Sequence, residues 1–339
     1  MIISRISDAI GSTPLLHVPM NGGRSDLYIK LEHLNPCGSM KDRMARSMLD
    51  DLLMNHTLPP DALIVESSSG NTAGALAMLC AEKGMTFRAI VDHHAARDKI
   101  RAIEAYGASV EYVDDAGGGL STAIRDRRAA EISTSQNNCY WTEQHNNPAN
   151  AAGYVGLASE LFEELEGKID VFISAIGTGG SLCGTSRALR KRIPSLYTIG
   201  VEPEGSIIFG GEGKAYHQSG TGTPEGAEVG LVIDYDEIDE GRKVGDAEAF
   251  AMCRVLARRF GLLVGGSTGG AIFEAAKLAH NSSNRSRIVT LACDAGSKYL
   301  DTIFDRGWLE DRALHSPELE QEIESWFPRP AMASDLRAA

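Results

Sequence analysis

Lys41 stands in "NPCGSMKDR" (35–43), directly behind Gly38-Ser39-Met40 and ahead of "DRMARSMLDDLL", whose apolar residues recur three to four apart as on one face of a helix. A helix N-terminus carries partial positive charge. It disfavours an ammonium there and lowers the pKa toward a free amine able to attack a carbonyl. A solvated first-turn lysine has the same local sequence, so this stretch by itself leaves both readings open.

Three Gly/Ser/Thr-rich segments bear on the choice. "SSSGNTAG" (67–74) offers hydroxyls, backbone N–H groups and the amide of Asn71 at a helix start, which suits a carboxylate. "GTGGSLCG" (177–184) lets backbone N–H groups approach a phosphate, with hydroxyls from Thr178 and Ser181, although a plain tight turn has the same composition. A dinucleotide fingerprint needs glycine where Leu182 stands, and a Walker loop needs Gly-Lys-Ser/Thr; neither is present. "GGSTGG" (265–270) puts Ser267 where it can cap a helix or meet a ligand. A reactive lysine, a carboxylate-type loop, a phosphate-type loop and a placed hydroxyl are together what a phosphorylated aldehyde cofactor requires. Pyridoxal 5'-phosphate, an electron sink held through a lysine, is that cofactor.

Regular elements must hold these segments. Strand-like runs "ALIVE" (62–66), "TFRAIVD" (86–92), "SVEYVD" (109–114), "CYWTEQ" (139–144), "IDVFISAI" (169–176), "LYTIGVEP" (196–203), "LLVGG" (262–266) and "RIVTLACD" (287–294) alternate with helical patterns. The helical patterns cover 73–84, 97–107, 149–167, 181–194, 246–260 and 271–280. This alternation predicts parallel sheets covered by helices, with strands enough for two. The Gly-rich region 205–230 and "DDAGGG" (114–119) read as loops, and "PELEQEIESWF" in the tail as a short helix.

The chain has 339 residues, which suggests two lobes, and a net charge of -13 with no basic stripe, which argues against nucleic-acid binding. No apolar run approaches a membrane span, so a soluble cytoplasmic protein acting on small molecules is expected. The six cysteines lack CxxC or Cys/His metal spacing and are expected to be reduced, with Cys37 alone near a motif. His93-His94 has no further ligands in sequence, and no metal is expected.

From "GSTPLL" (11–16) through "LEHLNPCGSMKDR", "ESSSGNTAGALA", "YGASVE", "QHNNPAN", "GTGGSLCG", "VEPEGS" and "GGSTGG" to "SKYLD" (297–301), the chain resembles the cysteine synthase and cystathionine β-synthase family. These are the fold type II pyridoxal phosphate enzymes. The resemblance implies an α/β fold of two open twisted sheets flanked by helices, tryptophan synthase β-like, and a homodimer. It implies a larger cofactor-binding domain (1–42 and 148–312), a smaller mobile substrate-binding domain (43–147) and a C-terminal tail (313–339). Lys41 would be the Schiff-base lysine and the base for the α-proton, and Asn71 would bond the cofactor's ring oxygen. Ser68, Ser69, Thr72 and Gln144 would form the substrate α-carboxylate site. Gly177, Thr178, Gly179, Gly180 and Ser181 would form the phosphate cup, and Ser267 would face the pyridine nitrogen. A serine there tolerates a neutral ring, a mild sink suited to β-elimination.

The implied reaction is β-replacement on an O-activated L-serine through an α-aminoacrylate. Thr72 stands where the related dehydratases usually carry His, which favours replacement over deamination. A haem-binding segment and a regulatory module, as in mammalian-type cystathionine β-synthases, are not expected. Within the family, "GSMKDR", "YGASVE", "GSIIFGG", "GGSTGG" and "KYLDTIFDRGWLE" resemble most the branch that makes a 2,3-diaminopropionate precursor for siderophores and antibiotics. That branch joins O-phospho-L-serine to L-glutamate, giving N-(2-amino-2-carboxyethyl)-L-glutamate. The alternatives are a cysteine synthase using sulfide and, from another class, a catalytically silent binding protein. A phosphoserine needs a cation near its leaving group, yet no arginine occurs between Arg192 and Arg242, which leaves Lys214 or Arg125. His145, beside Gln144, is a candidate for choosing the second substrate.

Overall fold

The computed structural model describes residues 2–22, 24–114 and 121–329. Ten strands lie among them: β1 (Leu15–Val18), β2 (Asp26–Lys30), β3 (Leu63–Ser67), β4 (Thr86–Val91), β5 (Ser109–Tyr112), β6 (Cys139–Trp141), β7 (Val171–Ala175), β8 (Tyr197–Pro203), β9 (Glu240–Val244) and β10 (Arg287–Leu291). One sheet has six strands in the order β1-β2-β10-β7-β8-β9, the other four in the order β5-β4-β3-β6. The smaller sheet is wholly parallel. Helices cover both: α1 (Lys41–Asn55), α2 (Asn71–Lys83), α3 (Arg97–Ala105), α4 (Ser121–Ser135), α5 (Pro148–Ala152), α6 (Val155–Glu164), α7 (Gly180–Arg190), α8 (Asp246–Phe260), α9 (Gly266–Asn281), α10 (Arg306–Glu310) and α11 (Pro317–Ser325). Inner strands such as β3 are buried along their whole length, which is why they read as continuous apolar runs.

The sequence pattern departs from the structure in four places. The N-terminal hairpin has no counterpart in the predicted alternation, and its β1 pairs antiparallel with β2, so the larger sheet is mixed. β9 is also missing from it, because "EGRKV" is a polar edge strand whose charges leave no apolar pattern. "LLVGG" is not a strand: Val264 makes one isolated bridge to Ala295, and α9 is already capped at Gly265. The helix expected over 149–167 is two helices broken at Gly153-Tyr154. A Cβ on Gly153 would lie 2.8 Å from the Arg43 carbonyl oxygen and 2.9 Å from Met44 Cα. Tyr154 donates its hydroxyl to the Met40 carbonyl at 3.2 Å. Seating against the first turn of α1 displaces helix continuity at these two positions.

α1 serves two cores. Met40, Met44 and Met48, four apart, join a cluster with Phe172, Leu291 and Cys293 of the larger sheet's side. Ala45 and Leu49, also four apart, join Leu76 and Phe87 of the smaller sheet's side. Each such buried Met, Leu or Phe side chain contributes about 1.5–3 kcal/mol. Two cores therefore pin the helix that Lys41 begins. The region 205–230 has no helix or strand; the buried Glu202 carboxylate anchors it by accepting the N–H groups of Ile208 (2.9 Å) and Phe209 (3.1 Å). The glycine-rich positions 115–120 and the tail from 330 lie outside the described residues. Among the described residues, no helix is long and apolar enough to cross a membrane.

Candidate active site

Lys41 is the first residue of α1, and its N–H donates to Ser39 Oγ at 3.2 Å. The preceding loop is zipped to the end of β10: Met40 N–H donates to the Cys293 carbonyl at 2.8 Å, and Ala295 N–H to the Gly38 carbonyl at 3.1 Å. Desolvation lowers the Lys41 amine below the ordinary lysine value, against an opposing pull from the Asp294 charge. The helix N-terminus acts in the same direction as desolvation. Burial pushes the neighbouring Cys293 thiol up to about 12, so it stays neutral at physiological pH.

The β3–α2 turn carries Ser68, Ser69, Asn71 and Thr72. Ser68 Oγ accepts the Gly70 N–H at 3.2 Å, and Ser69 is half-buried. Thr72 donates its hydroxyl to Gln144 Oε1 at 2.7 Å, which brings the two candidate carboxylate-site residues together. Beneath them lies Glu66, fully buried. Its carboxylate accepts the Thr142 hydroxyl (2.5 Å) and the N–H groups of Ser67 (2.9 Å) and Gln144 (3.2 Å), and desolvation pushes it up to about 7.

The β7–α7 turn carries Gly177 to Ser181. Gly179 has φ +87°, and a Cβ there would meet Ile233 Cα at 2.9 Å; a Cβ on Gly180 would overlap the Asn150 amide. Asn150 Nδ2 donates to the Gln144 carbonyl (2.7 Å) and to Thr178 Oγ1 (3.0 Å), so one side chain joins the two turns. Asn150 Oδ1 is buried without a partner. Among the described residues, none of the N–H groups from Thr178 to Ser181 donates to a backbone acceptor. N–H groups without a backbone acceptor at a helix start fit a phosphate.

Ser267 lies buried in the first turn of α9 and does not cap it: Gly265 is the cap, without a side-chain bond. The Ser267 hydroxyl meets the Cys293 thiol instead. Asn71 bonds Asp294 and Lys298 through its amide. Nothing local in the sequence assigns a role to Glu66, Asn150, Asp294 or Lys298, although Asn150 lies in "QHNNPAN" and Lys298 in "SKYLD".

Around this centre, Arg125 pairs with Asp92 at 2.6 Å while its Nε is buried without a partner. His145 is half-buried; burial lowers its pKa, Asp126 raises it, and Lys41 and Arg125 lower it further. Lys214 is exposed in the loop beside Gly205. The six cysteines are unpaired, and desolvation pushes the half-buried Cys37 thiol up to about 12, far from a thiolate nucleophile. His93 stacks on Tyr112 at 5.1 Å. No cluster of three or more His, Cys, Asp or Glu side chains fit for a metal occurs among the described residues.

An amine at a desolvated helix start, with one Gly/Ser-rich turn tied to its loop through Lys298 and a second joined to Gln144 through Asn150, suits a phosphorylated aldehyde cofactor. Residues 6–294 match the family described as pyridoxal-phosphate dependent enzyme, and the chain belongs to that family. It is 46% identical over 329 residues to a "Putative cysteine synthase" of Sinorhizobium fredii, covering 96% of this chain and 98% of that protein. It is 37% identical to an "N-(2-amino-2-carboxyethyl)-L-glutamate synthase" of Cupriavidus metallidurans, covering 91% and 92%. The crystal structure of an O-acetylserine dependent cystathionine β-synthase from Helicobacter pylori superposes with a TM-score of 0.81 at 33% identity, covering 89% of this chain and 98% of that one. The chain is thus a pyridoxal-phosphate dependent β-replacement enzyme of the cysteine synthase type.

Proposed function

We propose that the enzyme joins O-phospho-L-serine to L-glutamate, giving N-(2-amino-2-carboxyethyl)-L-glutamate as a 2,3-diaminopropionate precursor for siderophores or antibiotics. The observation that carries the donor is Arg125, whose guanidinium is held by Asp92 at 2.6 Å with its Nε buried and unpartnered, and whose charge acts on His145 beside Gln144. Such a cation suits a phosphate leaving group. The Cupriavidus metallidurans relative supports the acceptor.

Pyridoxal phosphate, when bound, supplies an electron sink for the pair released as a Cα–H bond breaks. Gly177 to Ser181 hold its phosphate through N–H groups and hydroxyls, and Ser267 offers a neutral hydroxyl to its ring nitrogen. Asn71 bonds its ring oxygen. Ser68, Ser69, Thr72 and Gln144 hold the substrate carboxylate, with the α2 N-terminus adding favourable charge. Lys41 Nζ, its pKa lowered by desolvation, takes the α-proton and later returns it.

A second reading is a cysteine synthase using sulfide with either O-acetyl-L-serine or O-phospho-L-serine, favoured by the 46% identical relative. Purified holoenzyme is given each donor with glutamate or with sulfide, and the products are weighed by mass spectrometry. The proposal expects the glutamate adduct from O-phospho-L-serine; cysteine formation without adduct overturns it in favour of the second reading.

A further inference from the structure

A carboxamide has two ends alike in shape and opposite in polarity, so a neighbour that only donates or only accepts decides which way it points. Asn71 has one of each. The Lys298 ammonium, donor only, lies 2.6 Å from Asn71 Oδ1. The Asp294 carboxylate accepts from Asn71 Nδ2 at 2.9 Å and is itself held by the Tyr299 hydroxyl at 2.7 Å. A flipped amide would set N–H against N–H at one end and oxygen against oxygen at the other.

Lys298 is fully used. Its other donors go to the carbonyls of Cys37 (3.0 Å) and Gly38 (3.3 Å), in the loop that leads into Lys41. The turn Gly296–Tyr299 that carries it is fixed by close packing: a Cβ on Gly296 would lie 2.6 Å from Val264 N. One half-buried ammonium therefore ties the Lys41 loop to the start of α2.

We propose that Lys298 is a positioning residue: with Asp294 it locks the Asn71 amide so that the second N–H of Nδ2 points at the cofactor's ring oxygen. This rests on the reading that Asn71 contacts that oxygen. Of the two Nδ2 protons one is taken by Asp294, which leaves one to donate. Without Lys298 only Asp294 still sets the direction of the amide, so the flipped form, which presents an oxygen to an oxygen, is opposed at one end instead of two.

The test is pyridoxal phosphate affinity, followed by tryptophan fluorescence on titrating the cofactor-free protein, together with the position of the visible band of the loaded protein. Lys298→Met is expected to weaken binding about tenfold, the loss of one charge-assisted hydrogen bond, and to shift the band. Lys298→Arg, still donor only, is expected to behave as the wild type. Lys298→Gln, whose own amide both donates and accepts, cannot dictate orientation; it should resemble Lys298→Met and decides the matter if the methionine variant does not fold. The Asn71→Ala/Lys298→Met double variant should lose no more than Asn71→Ala alone. Wild-type affinity in Lys298→Gln, or additive losses in the double variant, overturns the positioning role. If Asn71→Ala alone leaves both affinity and band unchanged, the underlying reading of Asn71 fails instead.

Discussion

Lys41 and Asp42 are adjacent, and both are pushed by desolvation toward their neutral forms. For Lys41 this is functional on the proposed reading, because a free amine is what attacks and what takes a proton. Lys41→Ala is expected to lower turnover on the order of a thousandfold or more, measured as product formed by cofactor-reconstituted protein. Full activity there would sink the mechanism. For Asp42 the consequence is stability. Its pKa rises from 3.8 to about 7, with one oxygen accepting the Cys37 N–H at 2.7 Å and the other buried without a partner. A raised acid binds more protons folded than unfolded between those values, so its contribution falls as pH rises from about 4 to about 7. Glu66 adds the same slope and Glu160, held at about 2 by Arg43, acts below this window. Asp42→Asn should flatten the decline in melting temperature between pH 4 and 7; an unchanged slope would show that Asp42 is not the group. Motifs local in the chain made Lys41, Asn71, Thr72, Thr178 and Ser267 legible as candidates. Asp294 and Lys298 were not legible, since more than two hundred residues separate them from Asn71 and sheet topology brings them together.

At the scale of elements, hydrophobic period recovered what is buried on both faces and failed where packing overrides propensity. The split between α5 and α6 is the instructive case. Nothing in "ANAAGYVGLASELFEELEG" announces a break except Gly153, and a glycine inside a helical pattern is by itself weak punctuation. Its reason lies in another element, the α1 backbone at Arg43 and Met44. Gly153→Ala should therefore cost about 1–3 kcal/mol through forced separation of the helices, read as a lower melting temperature. Because α1 begins with Lys41, activity should fall with it. A melting temperature within a degree of wild type would show that α1 yields to the extra methyl at no cost.

At the scale of the molecule, the two sheets keep separate cores. Two clusters line the six-stranded sheet and two the four-stranded one, with α1 giving a face to each side. Much of what else joins them is polar: Asn71 with Asp294 and Lys298, and the Ser7 hydroxyl with Glu82 at 2.7 Å. The proposed boundary of a smaller domain at residue 43 thus falls inside a shared helix, a place no composition shift marks. Polar links of this kind resist relative motion less than a packed apolar seam does. A substrate carboxylate seated on the β3–α2 turn while Lys41 stays anchored to the β10 end would draw the four-stranded sheet toward the six-stranded one. Amide exchange in 67–74 and 142–146 should then slow severalfold when O-phospho-L-serine is added to the cofactor-loaded protein, while β7 and β10 exchange as before. Equal slowing throughout would mean that the whole molecule stiffens as one body. No slowing in 67–74 would mean that the carboxylate does not bind at that turn.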